Sequence, residues 1–285
     1  MIQLIDQNQF SAEFALHKKY AQSELLLDLV WTHSHIIMSV SLNLYDSGRF
    51  DVTQMPRELV SKAALLHDIG VYGCSGFEWL PGQPLSDKPY AQHTLIGAEI
   101  LQREGFSQEI IDVAKIHTGV GLSSEDITTY GMELPAGEYM PSTPLQWLIT
   151  YASKFHSKAP RFKTATDIEV ALSKYGTDKV ERFKQLQATF GLPNLEDIKP
   201  RYEEWHKNFN FRITQLANGS AGNAAALPNV PVELSSAGIS LSKPKAVTVQ
   251  ITPLEIETPT ATATTANSAP MTLATNQTGP VARLS

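Results

Sequence analysis

At 285 residues, with 42% apolar and 8% aromatic side chains, the chain is long enough to bury a sizeable core in one large or two ordinary domains. Its net charge of -6 argues against a nonspecific nucleic-acid binder, and its single cysteine, Cys74, excludes an intramolecular disulfide and a cysteine-rich zinc module. No run approaches the ~20 continuous apolar residues of a membrane helix, and the first residues lack the basic region and apolar core of a signal peptide, so a cytoplasmic protein is expected.

In chain order, the first clear element is a helix over 24–44. Leu26, Val30, His33, Ile37, Val40 and Leu44 recur in three- and four-residue steps and form one face. His33 shares that face, whereas His35 falls with Asp28, Thr32 and Ser39. The phasing therefore points His33 inward and His35 out to solvent. Pro56 suits a first helical position and Gly70 a C-terminal cap, so 56–68 reads as a second helix with His67 and Asp68 in its last turn. A Gly-, Pro- and Ser-rich loop follows over 73–88. A helix over 93–104 begins at His93, and another over 108–117, capped by Ser107, carries His117 on the face of Ile110, Val113 and Ala114.

A polar connection over 118–144 leads to a helix over 145–158, packing through Leu145, Leu148, Ile149, Ala152 and Phe155. Weaker helices cover 167–175, 178–190 and 197–208, and no strand is expected before 217. Phe211 is the last aromatic residue, and the Ala-, Thr-, Ser- and Pro-rich stretch over 217–285 cannot bury enough apolar area to offset its ordering entropy. The expected organisation is an all-α helical domain over 1–216 followed by a disordered tail over 217–285.

The chemistry concentrates in the tetrapeptide His67-Asp68-Ile69-Gly70, because an imidazole beside a carboxylate can share one divalent ion. A lone inward histidine is more often a hydrogen-bonded core residue than a ligand. Yet His33, His67, His93 and His117 all lie on or at the end of apolar helical faces, and a common metal centre explains four such imidazoles more economically than four separate sets of partners. His17 and His206 stand among charged neighbours and are expected at the surface.

Trp31-Thr32-His33-Ser34, Leu65 through Tyr72, His93 with Gly97-Ala98-Glu99-Ile100-Leu101, His117 through Leu122, and Tyr151-Ala152-Ser153-Lys154-Phe155 together resemble the HD-domain metal-dependent phosphohydrolases, in particular an HDIG-containing subgroup. The resemblance spans roughly 20–190 and implies an all-α HD-domain bundle. It implies a metal bound by His33, His67 and Asp68, with His93 and His117 as further ligands or phosphate contacts, and catalytic roles for Asp68, His93 and His117. Mn, Mg, Fe, Ni and Zn are not distinguished. The implied reaction is hydrolysis of a phosphomonoester or phosphodiester, with a nucleotide-like small molecule as the expected substrate and neither nucleic acid nor membrane as partner.

One position departs from the family pattern, which reads Tyr-Ala-Asp-Lys-Phe where this chain has Ser153. A hydroxyl is a poorer ligand than a carboxylate, and one negative charge is lost. Three readings follow: Ser153 holds a water in the missing position, His93 and His117 supply the affinity, or hydrolysis is lost and the chain is a module binding a nucleotide or protein partner. His156, one turn beyond Ser153, is expected to be a partly exposed packing residue, and Lys154 an exposed helix lysine.

Overall fold

The computed structural model describes residues 10–51, 53, 55–74 and 90–219. Most of the expected 73–88 loop and nearly all of the 217–285 segment lie outside them. The described residues form an all-α assembly with one very short hairpin. Its helices are α1 Ser11–Tyr20, α2 Glu24–Tyr45, α3 Arg57–Leu66, α4 His93–Arg103, α5 Gln108–Ile116, α6 Ser124–Tyr130 and α7 Pro144–Ala152, followed by α8 Ala165–Leu172, α9 Thr177–Phe190, α10 Leu195–Ile198 and α11 Glu203–Gly219. Strands β1 His156–Ser157 and β2 Arg161–Phe162 pair antiparallel, with His156 opposite Phe162.

Helix α2 is the axis. Ser23 caps it by accepting from the Leu26 amide. Leu29, Trp31, Ile36, Ile37 and Val40 are completely buried, packing against α3, α7 and the C-terminal helices. By length and apolarity α2 would qualify to cross a membrane, but 83% of that stretch is buried inside the protein, as expected of a core helix. A second apolar cluster joins Leu66, Ile69, Val71 and Tyr72 to Leu101, Ile110 and Ala114, and so fastens the segment after α3 to α4 and α5.

Several boundaries differ from the periodicity. Residues 11–20 form a helix that no amphipathic pattern announced, and the polar connection encloses α6, which a reciprocal Ser123–Asp126 capping box starts and Gly131 stops. The helix expected over 145–158 starts at a Thr143–Gln146 capping box with Pro144 in its first turn. It ends at Ala152, where the chain passes through a 3-10 turn, Ser153–Phe155, into the hairpin. That early ending reorients everything from His156 to Lys158.

Candidate metal centre

His67 follows α3 directly, and the 3-10 turn Ile69–Gly73 carries the chain away before another helical turn can form. Asp68 is thereby left at a helix end, buried, with its carboxylate inside the bundle. Helix α2 brings His33 Nε2 to 3.0 Å from Asp68 Oδ2, and His67 Nε2 lies 3.1 Å from the same oxygen. The start of α4 and the end of α5 bring His93 Nε2 and His117 Nε2 each to 3.3 Å from Oδ1. The two nitrogens of this second pair are 3.0 Å apart. One carboxylate thus stands between two pairs of imidazoles, each pair facing its own oxygen.

The outer nitrogens decide what the inner ones are. His67 Nδ1 bonds to the Ala64 carbonyl at 2.7 Å, His93 Nδ1 to that of Tyr90 at 2.5 Å, and His117 Nδ1 to that of Ala114 at 3.0 Å. A carbonyl only accepts, so each Nδ1 carries the ring proton and each Nε2 presents a lone pair. Burial pushes the pKa of His117 down to about 4, that of His33 to about 3 and that of His93 well below its ordinary value, so these rings are neutral at physiological pH. Burial alone would raise the Asp68 pKa, but the Lys158 ammonium outweighs it and holds this carboxyl well below the usual range. The lone pairs of His67, His93 and His117 and an ionised carboxylate therefore converge with no proton between them, and His67 Nε2 is buried without a hydrogen bond.

This donor set fits a divalent ion. His33, His67 and Asp68, and equally Asp68, His93 and His117, offer ligand atoms that all lie within 4.8 Å of one another. Spacings of 3.0–3.3 Å are those of neighbouring donors around one ion with bonds of about 2.0–2.2 Å. Four imidazoles and one carboxylate suit a borderline transition metal better than Mg or Ca, which prefer all-oxygen shells.

All five residues named from the sequence meet here, but other expectations need correction. His35 is buried rather than solvated: its Nδ1 is 2.8 Å from the Tyr202 hydroxyl, because the polar side of α2 is covered by the C-terminal helices. The same covering places Asp28 against Trp205 Nε1 at 2.9 Å and Arg212 at 2.6 Å. His17 is also buried, bonding the Tyr72 hydroxyl at 2.8 Å and the Leu65 carbonyl at 2.9 Å. His206 is half-buried, with Nε2 3.0 Å from His156 Nε2.

His156 is no exposed packing residue either. It is 2% exposed, and its Nδ1 stands 2.8 Å from His33 Nδ1. Ser153 turns its hydroxyl to the Thr150 carbonyl at 2.9 Å. Lys154 is not an exposed lysine: it donates to the His117 carbonyl at 3.2 Å, and burial, reinforced by Lys163, pushes it down to about 7. Lys158 escaped the sequence reading altogether. From the hairpin tip its Nζ reaches Asp68 Oδ2 at 2.5 Å and lies 5.1 Å over the Tyr90 ring. Helix-face counting could not find it, since it follows the end of α7.

Residues 30–158 match the HD-domain family model. A tRNA (cytidine(56)-2'-O)-methyltransferase of Picrophilus torridus is 25% identical over 66% of this chain and 44% of its own length. Its counterpart in Thermoplasma volcanium is 26% identical over 59% of this chain and 42% of its own. An uncharacterised protein of Methanocaldococcus jannaschii is 33% identical over 33% of this chain and 47% of its own. The chain thus spans less than half the length of each of these curated relatives. Among solved structures, the HD domain of the L. monocytogenes phosphodiesterase PgpH aligns over 73% of this chain and 98% of its own, with a TM-score of 0.41 at 19% identity. The matched residues run from α2 to the hairpin tip and contain His33, His67, Asp68, His93, His117 and Lys158, so the whole candidate site lies within the stretch that is similar to an HD domain.

Proposed function

We propose that the protein is a cytoplasmic, metal-dependent phosphohydrolase acting on a phosphomonoester or phosphodiester of a small, nucleotide-like molecule. The observation that carries this reading is the convergence of four imidazoles on the Asp68 carboxylate, three of them with the outer ring nitrogen bonded to a backbone carbonyl and so with a lone pair turned inward, an arrangement that calls for a cation. A divalent ion bound there supplies Lewis acidity and a water of lowered pKa. Asp68, with one oxygen toward each histidine pair, can serve two ions or hold one and orient the attacking water. His93 and His117 are held rigidly by their bonds to backbone carbonyls. Lys158 supplies positive charge next to the cluster, which a phosphoryl group requires, and Lys154, pushed down to about 7, adds to it in its protonated form.

Methyl transfer to tRNA, for which two of the relatives are named, is not carried over, since more than half of each lies outside the alignment. A second reading has two observations in its favour. Ser153 bonds its own helix and adds no carboxylate, while Lys158 already neutralises Asp68, as suits a module that binds ligands without hydrolysing them.

Elemental analysis and turnover separate the two. A phosphohydrolase purifies with about one or two divalent ions per chain, loses them on His67→Ala, and turns over at least one member of a phosphate-ester panel supplied with Mn, Mg, Fe, Ni or Zn. Turnover only after Ser153→Asp would establish the second reading. Metal-free protein without turnover in either form would refute the enzyme.

A further inference from the structure

Three of the four imidazoles facing Asp68 are oriented by backbone carbonyls, but His33 is not. Its Nδ1 lies 2.8 Å from His156 Nδ1, and the far nitrogen of His156, Nε2, lies 3.0 Å from His206 Nε2. His156 is fixed from both sides: it stands on β1 opposite Phe162, with the two rings 5.2 Å apart edge to face.

The protons in this row follow from its inner end. A gap between two ring nitrogens that no cation fills needs one proton, since two lone pairs repel and two N–H groups clash. As a metal ligand His33 presents the Nε2 lone pair that faces Asp68 at 3.0 Å, so its ring proton sits on Nδ1 and is donated to His156 Nδ1. His156 then carries its own proton on Nε2 and donates it to His206 Nε2. The imidazole of His206, on α11, is thus the acceptor at the outer end of a row that reaches the centre of the bundle.

We propose that His156 and His206 are positioning residues, a two-imidazole relay of orientation that holds His33 as an Nε2 metal ligand. The relay makes the affinity of the centre depend on the docking of α11. It rests on the metal reading of His33 given above, and it adds a residue, His206, that lies outside the matched family region 30–158. No other candidate ligand is served by so long a chain; for His67, His93 and His117 the tautomer is decided within four residues.

Two measurements on the full chain test this. In nitrogen-15 histidine NMR of metal-free protein at neutral pH, His33 and His206 should be Nδ1–H tautomers and His156 an Nε2–H tautomer; His156 found as Nδ1–H would overturn the relay. In Mn2+ titration, His156→Phe should weaken binding about 10- to 100-fold, as loss of a ligand's hydrogen-bond partner typically does, and His206→Leu by a smaller factor, about 3- to 10-fold. His206→Gln, whose amide oxygen can still accept from His156, should return affinity to within about 2-fold of wild type, which a merely structural role would not require. Unchanged Mn2+ affinity in His206→Leu, or Gln no better than Leu, would overturn the relay alone. Wild-type protein that binds no Mn2+ would overturn the metal reading and the relay with it.

Discussion

Gly70 closes the His-Asp-Ile-Gly tetrapeptide, and its replacement by alanine tests whether the metal centre depends on the contact between two backbones. A Cβ on Gly70 would overlap the His93 carbonyl oxygen and the Gly97 nitrogen, and would stand 2.8 Å from Gly97 Cα. Carbon atoms in contact stand at about 3.5–4.0 Å, and the atoms in the way are backbone, which cannot rotate aside. Relief therefore requires α4 and the turn after Asp68 to separate by roughly 1 Å. His93 rides on α4 and Asp68 on that turn, 3.3 Å apart, whereas metal bonds tolerate errors of only about 0.2 Å. Gly70→Ala should cost about 3 kcal/mol of stability, the upper end of overpacking penalties, and weaken Mn2+ binding at least about 10-fold. Gly105→Ala is the control: it has a φ of +77° and no atom within 4 Å of an added Cβ. It should cost about 1 kcal/mol through backbone strain alone and leave metal affinity unchanged. Urea denaturation with and without Mn2+ measures both quantities. A Gly70→Ala protein within about 0.5 kcal/mol of wild type that binds Mn2+ normally would refute the steric argument.

Three further outcomes are expected. Mn2+ at about 100 times its dissociation constant should stabilise the protein by about 2.7 kcal/mol, or roughly 5–11 °C in Tm for a domain this size, and should do nothing for His67→Ala; an equal shift in that variant would place the ion elsewhere. Lys158→Met removes the ammonium beside Asp68, so the metal-free variant should lose about 3–5 kcal/mol while Mn2+ affinity, read by calorimetry, rises about 10-fold. Weaker binding would mean that Lys158 supports the ion instead of competing with it. Burial pushes His17 from its ordinary 6.5 to about 4, so the unfolded chain takes up this proton first as pH falls. The associated stability is fully present above about pH 6.5 and is lost as pH falls to about 4, amounting to about 3 kcal/mol. His17→Leu should flatten the slope of unfolding free energy in that window by up to about 1.4 kcal/mol per pH unit; an unchanged slope would show that His17 does not titrate there.

Asp68 and the four histidines around its carboxylate were legible because each lies on or at the end of a helix whose apolar spacing is a local property of the chain. His33 could be chosen over His35 from phasing alone, and the structure places His33, not His35, against the Asp68 carboxylate. The prediction for His35 failed because a polar face was equated with water. Asp28, His35 and Ser39 instead meet Trp205, Tyr202 and Arg212, from about 160–185 positions later in the chain. His156 was misjudged for a related reason. It was placed one helical turn beyond Ser153, but α7 ends at Ala152 and the backbone extends, turning His156 onto His33 and Lys158 onto Asp68.

By itself, then, the sequence determined the helical class, the helices that deliver His33, His67, Asp68, His93 and His117, and the absence of a carboxylate at position 153. Those follow from residue type and short-range periodicity. Only the tertiary structure decided that the Asp68 oxygens divide the histidines into two pairs, that a lysine reaches the same carboxylate, and that His156 and His206 stand behind His33. Each of these depends on which distant side chains fill the hydrogen-bonding needs of buried polar groups, and no local pattern encodes that pairing.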